Sequence, residues 1–191
     1  EDCIKKSVSD RYLELSNMVY NLLKQKAPGV TYTHFPYHFY KAPPEKVEPA
    51  RNMNITLNTW GRNLSHPFYD EKTPADFRKV FHDWKNVSQK YDNTFILHEK
   101  YLRHMGLNYH PLPYPILKGE ISWFKEQGLD GFELPMGYMG RRTKALNFYT
   151  TCKLIWDTGT DVDAVVQDFY EKSYAEQWPL MKKAYELVIE G

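Results

Sequence analysis

Apolar residues recur along this chain with two different periods, and the alternation between them lays out the fold. Ser9 can cap a helix running to about Lys26, with Tyr12, Leu15, Val19 and Leu22 on one face at helical spacing. Pro28 and Gly29 stop it. Val30 to Phe39, VTYTHFPYHF, is rich in β-branched and aromatic residues and reads as a strand whose ladder ends near Pro36. A proline-rich loop, KAPPEKVEP, follows. Met53 to Trp60 is a second strand: Met53, Ile55 and Leu57 point one way, and Asn54, Thr56, Asn58 and Trp60 the other. After a polar loop to Pro74, Asp76 to Tyr91 is a helix striped by Phe77, Val80, Phe81, Trp84, Val87 and Tyr91.

The third strand, TFILH from Thr94, ends abruptly in a crowd of titratable and aromatic groups. Pro115 to Gln127 is the next helix, with Leu117, Ile121 and Phe124 inward and Gly128 placed to end it. Asp130 to Pro135 is a fourth strand, followed by the cationic loop GYMGRR. Three more helices are predicted: from Thr143 or Lys144 to Trp156, after Asp161, and from about Glu176 to Ile189.

Helices that end in a short turn and feed straight into a strand are the rhythm of a parallel sheet covered by helices. Four such strands make half of a (β/α)8 barrel, a fold of about 250 residues. The chain is therefore expected to be α/β and TIM-barrel-like, the C-terminal half of a barrel over residues 1–157, with 158–191 a helical extension of the same domain. The first half would come from another segment of the protein, or the sheet would stay open.

Composition narrows the function. The net charge of +1, with dispersed Lys and Arg, gives no nucleic-acid or membrane-surface signal. Two cysteines, Cys3 and Cys152, allow at most one disulfide. No apolar run approaches the roughly 18 residues of a membrane span, and EDCIKK lacks the apolar core of a signal peptide, though the chain reads as cut from something longer. Aromatic residues reach 16%, enough both to fill a core and to line a ring-stacking surface.

In a barrel the reacting groups stand at the C-terminal strand ends. Those ends are Tyr37-His38, Asn58-Thr59-Trp60, His98-Glu99 and Glu133. Glycoside hydrolysis needs two carboxylates about 5–9.5 Å apart, and Glu99 and Glu133 end consecutive strands. Strand parity turns Glu133 and His98 toward the lumen and Glu99 toward the helices, unless a bend reverses it. The catalytic candidates are thus Glu133, with His98 or Glu99 as partner. In the first strand the inward set reads as Tyr32, His34 and His38. Tyr37, His38, Asn58, Trp60, Tyr101, Arg103 and Tyr138 are candidates for substrate binding, the rings by stacking and Arg103 by meeting a carboxylate.

A metal site from His34, His38, His98 and Glu133 is the competing reading. HEKYLRH is not H-E-x-x-H, however, because Leu102 replaces the second histidine, so neither metal nor other cofactor is assigned. A non-catalytic glycan-binding domain and a metal-dependent hydrolase stay open as alternatives.

From Ser9 onward the chain resembles a bacterial domain of unknown function common in Bacteroidetes polysaccharide-utilisation proteins. There it follows a domain like the N-terminal one of family 67 glycoside hydrolases, the α-glucuronidases. The resemblance rests on SDRYLELSNMVYNLLKQKAPGVTYTHFPYHFYKAPP, ILKGEISWFKEQGLDGF and KLIWDTGTDVDAVVQDFYEKSYAE. It implies a TIM-barrel-like module of a periplasmic or secreted carbohydrate-active protein, with a carbohydrate substrate and an N-terminal barrel half or domain as partner. It carries over no catalytic residues.

Overall fold

The structure is a computed structural model that describes residues 6–64, 66–101, 114–135 and 145–190. The elements are α1 (Val8–Lys26), β1 (Thr33–His34), β2 (Asn54–Asn58), α2 (Ala75–Lys90), β3 (Thr94–His98), α3 (Tyr114–Glu126), β4 (Gly131–Glu133), α4 (Ala145–Trp156), α5 (Val162–Tyr174) and α6 (Trp178–Glu190). All four strands are parallel and lie in the order β1-β2-β3-β4, so the chain is α/β with a parallel sheet alternating with helices. Among the described residues no helix is long and apolar enough to cross a membrane.

The chain divides into two compact units that do not follow chain order. The first holds residues up to Arg62, Pro74–Glu99 and Gly128–Glu133; the second holds Asn63–Thr73, Lys100–Gln127 and the chain from Leu134. The first unit is the sheet with α1 and α2. Its core is Leu13, Tyr20, Met53, Ile55, Leu57, Phe81, Trp84, Phe95 and Leu97, all buried. The second is helical, with Leu117, Ile121, Phe124, Leu146, Leu154, Val166 and Tyr170 buried.

Helix α1 starts at a reciprocal capping box: Ser7 Oγ accepts the Asp10 N–H at 3.0 Å, and Asp10 Oδ2 accepts the Ser7 N–H at 3.3 Å. Side chains of α1 hold the proline-rich loop and the turn after it. Asp10 Oδ1 accepts the N–H groups of Lys46 and Val47, both at 2.9 Å. Asn17 Oδ1 accepts the Ala50 N–H, and the Tyr20 hydroxyl donates to the Arg51 carbonyl. Burial alone would raise the Asp10 carboxyl, but the N–H groups of Lys46, Val47 and Ser7 and the Ser7 hydroxyl outweigh it and hold the group below its usual range.

The starts of β2 and β3 are tied by side chains of the turn that leads into the next strand of the sheet. Asn93 Oδ1 accepts the Met53 N–H at 3.0 Å, and Asp130 Oδ2 accepts the Phe95 N–H at 2.7 Å. The resulting register pairs Ile55 with Phe95, then Leu57 with Leu97 and Phe132, then Asn58 with His98 and Glu133. In-register neighbours point to the same face. The sheet therefore has an apolar face carrying Ile55, Leu57, Phe95, Leu97 and Phe132, and a second face carrying Thr56, Ile96, Asn58, His98 and Glu133.

The helix cap is Ser7 rather than the expected Ser9, which lies within α1, and expectations for the first strand also need correction. The regular strand is only Thr33–His34, although its backbone pairing with β2 does end, as expected, near Pro36, with a bond from the Asn58 N–H to the Pro36 carbonyl. His34 also does not share a face with His98. It pairs with Ile55, on the apolar face, where its Nδ1 lies 2.8 Å from Ser16 Oγ of α1 and its ring 5.6 Å from Trp84 of α2. The Tyr32 hydroxyl also donates to Ser16 Oγ, at 3.3 Å. Burial lowers the His34 pKa to about 4, so the ring is neutral near pH 7.

Candidate functional site

Three polar side chains leave the ends of β2, β3 and β4 on one face: Asn58, His98 and Glu133. Asn58 is buried, and its Oδ1 accepts the Trp60 N–H at 2.8 Å, which fixes the chain as it leaves the strand. The His98 side chain is 11% exposed and that of Glu133 56%, with His98 Nδ1 3.3 Å from Glu133 Oε1. That is ion-pair distance once the imidazole is protonated. Glu133 thus presents a carboxylate to solvent with a titratable base beside it.

An aromatic wall continues from this pair. Phe35 stands edge-on to the His98 ring with centroids 5.1 Å apart, Tyr37 is 5.9 Å from Phe35, and His38 is 4.1 Å from Tyr37. Trp60 lies 6.4 Å from His38. Phe35, Tyr37 and Trp60 are partly exposed and His38 is exposed. The contacts therefore run unbroken from Trp60 through His38, Tyr37, Phe35 and His98 to Glu133. Trp60 reaches this place because β2 ends at Asn58 and a tight turn follows, closed by the Arg62 N–H on the Thr59 carbonyl at 3.1 Å. Gly61, at φ +86°, occupies the position where such a turn demands a left-handed residue.

The same turn sends Arg62 back under the sheet to Glu99. The Arg62 guanidinium meets Glu99 Oε2 at 2.7 Å, and the Thr59 hydroxyl donates to Glu99 Oε1 at 2.9 Å. Both charged side chains are inaccessible, 1% and 0% exposed. Glu99 is thus a buried ion-pair partner. Sequence reading singled out neither Arg62 nor its role, although a carboxylate turned toward helices by parity requires a cation nearby.

Tyr101, a substrate-binding candidate, is buried in the second unit. Its hydroxyl donates to Glu120 Oε1 of α3, whose Oε2 accepts the Phe68 N–H at 2.7 Å. Glu120 is completely buried, and no sequence pattern distinguished it from a surface helix carboxylate. Arg103 and Tyr138 lie outside the described residues. Among the described residues no group of three or more His, Cys, Asp or Glu is arranged to hold a metal ion. Of the four histidine and carboxylate candidates, His34 lies on one face of the sheet and His98 and Glu133 on the other, while His38 lies in the turn after β1.

A family model described as a domain of unknown function (DUF4838) matches residues 4–185. The chain belongs to this DUF4838 family. The matched residues include parts of both compact units. No curated protein and no solved structure matches the chain.

Proposed function

We propose that this chain is a carbohydrate-active module that holds a saccharide against the C-terminal ends of β2, β3 and β4. The observation that carries this reading is the unbroken wall from Trp60 to Glu133. A sugar offers apolar C–H faces to aromatic rings and hydroxyl groups to a few fixed polar atoms, and the wall has both. Trp60 and Tyr37 would stack, and Asn58, His98 and Glu133 would meet hydroxyl groups.

The same reading makes the sheet one half of a (β/α)8 barrel. Support comes from the strand order, which is sequential and wholly parallel as in a barrel, without the reversal of a doubly wound sheet. Helix α1 adds to it. Beside the face that packs in the core it carries a second apolar stripe, Val8, Tyr12, Leu15, Val19 and Leu22, which is exposed. Its alternating steps of four and three are those of a seam made for another helix. A helix of the other half-barrel, from the same protein, is the fitting occupant, since it would arrive with a strand for the outer edge of β1. Such a module would work in the periplasm or at the cell surface, where polysaccharides are met.

Hydrolysis of a glycosidic bond is the catalytic form of this reading, with Glu133 as general acid/base and His98 beside it. The second carboxylate would not be Glu99, which is held by Arg62 and Thr59 beneath the sheet; it would come from the other half-barrel. Affinity electrophoresis against a panel of plant and host polysaccharides tests binding, and release of reducing ends tests hydrolysis. At least one polysaccharide is expected to retard the chain. Any hydrolysis should fall by at least about 100-fold in Glu133→Gln, while binding persists. Retardation by none of the panel would overturn the proposal.

A further inference from the structure

Within the reading that this face binds a saccharide, we infer that His38 is a specificity-determining residue: it reads the hydroxyl groups on the edge of a pyranose ring laid on Trp60. The backbone at His38 is left-handed, with φ +48°. Tyr37 before it is extended, and the chain then turns tightly, with the Tyr40 N–H on the Tyr37 carbonyl at 3.1 Å and the Lys41 N–H on the His38 carbonyl at 3.3 Å. Glycine adopts such a φ without the clash a Cβ brings. The other non-glycine residues at positive φ are Asn52, Asp92 and Ala175, the last at the C-terminal end of α5. Asn52 and Asp92 sit in the turns that lead into β2 and β3, and both are short residues that tolerate this conformation.

His38 carries a large ring in a conformation glycine would take more easily, and its local contacts do not explain why. Among the described residues the imidazole makes no hydrogen bond; it touches only rings, edge-on to Tyr37 and 6.4 Å from Trp60 at 41°. The ring is exposed and stands beside the partly exposed indole of Trp60, so the two rings form an angled pair open to solvent. A pyranose stacked on Trp60 would bring its edge to the imidazole nitrogens, one donating and the other accepting. A residue held in a strained conformation, exposed beside an indole and with unused hydrogen-bonding capacity, is the arrangement of a ligand contact.

The inference separates stability from binding. In His38→Gly the turn is relieved and the imidazole removed; in His38→Asn the turn is tolerated and a donor and an acceptor are kept. Thermal melts of both variants are expected at or above the melting temperature of the unaltered chain. Calorimetric titration with the polysaccharide that retards the unaltered chain most should show His38→Gly binding about tenfold more weakly. His38→Asn should bind measurably but rank the panel differently. Binding by His38→Gly at undiminished affinity and in the same rank order would overturn the role of His38 and leave the saccharide reading standing. An unaltered chain that binds no polysaccharide would overturn both.

Discussion

Arg62→Ala is expected to destabilise the fold by about 3–5 kcal/mol, the largest effect of any single change considered. The reason is the position of Glu99. Its carboxylate is fully buried, with one oxygen on the Arg62 guanidinium and the other on the Thr59 hydroxyl. Removing the cation leaves a charge in a site that water does not reach, and the backbone turn that delivered Arg62 gains nothing in return. Glu99→Gln should be nearly as damaging, because it leaves the guanidinium buried without its counter-charge. Replacing both together by methionine should recover most of the loss, since two apolar groups of similar size have no charge to desolvate. Urea unfolding of the three variants measures this. The exposed pair Lys79–Asp83 provides the contrast: breaking it should cost well under about 1 kcal/mol. A loss below about 1 kcal/mol for Arg62→Ala would show that the pair does not hold the sheet's end together.

The second large effect is one of pH. His34 titrates near 4 in the folded chain, because burial against Ser16 and Trp84 disfavours its charged form, and near 6.5 when unfolded. Between these values the unfolded chain binds the extra proton. The contribution of His34 is therefore complete above about pH 6.5 and is lost as the pH falls toward 4, by about 3 kcal/mol in all. His82, lowered by burial and by Lys85 and Arg78, adds a smaller change of the same sign. Asp10 acts only at lower pH, since its folded carboxyl lies below 3.8 and its stabilisation disappears as the pH falls through that lowered value. Chemical unfolding at a series of pH values should show the decline between 6.5 and 4, and His34→Leu should flatten most of it. A profile unchanged by His34→Leu would mean that the buried ring is not the group that titrates.

The two faces of the sheet were legible where polarity alternates cleanly. Met53, Ile55 and Leu57 against Asn54, Thr56 and Asn58 gave the faces of β2, and Phe95, Leu97 and Phe132 gave those of β3 and β4. From these follow the shared face of His98 and Glu133 and the helix-side position of Glu99. The first strand was misread because VTYTHF offers no apolar-polar contrast to set its parity. A histidine can also sit on an apolar face when a serine eighteen residues earlier meets it. Arg62 and Glu120 were missed for a related reason. Each is bound to a group far along the chain, 37 residues away for Glu99 and 52 for the Phe68 N–H, and no local period records such a contact. Tyr101 looked like a surface ring because it follows a strand end, yet the hydroxyl that suits a sugar also suits a buried carboxylate.

The chain offers its own control for the saccharide site, since Trp60 and Trp156 are both accessible but only Trp60 belongs to the wall. Trp156, 92% exposed, closes α4 in the helical unit. In a two-dimensional amide spectrum each tryptophan indole gives its own signal, assigned by Trp60→Phe and Trp156→Phe. On titration with oligosaccharides cut from the polysaccharide that retards the chain, the Trp60 indole signal is expected to shift in a saturable manner while that of Trp156 stays in place. A Trp60 signal that does not move, or one that moves no more than that of Trp156, would contradict saccharide binding at the strand ends.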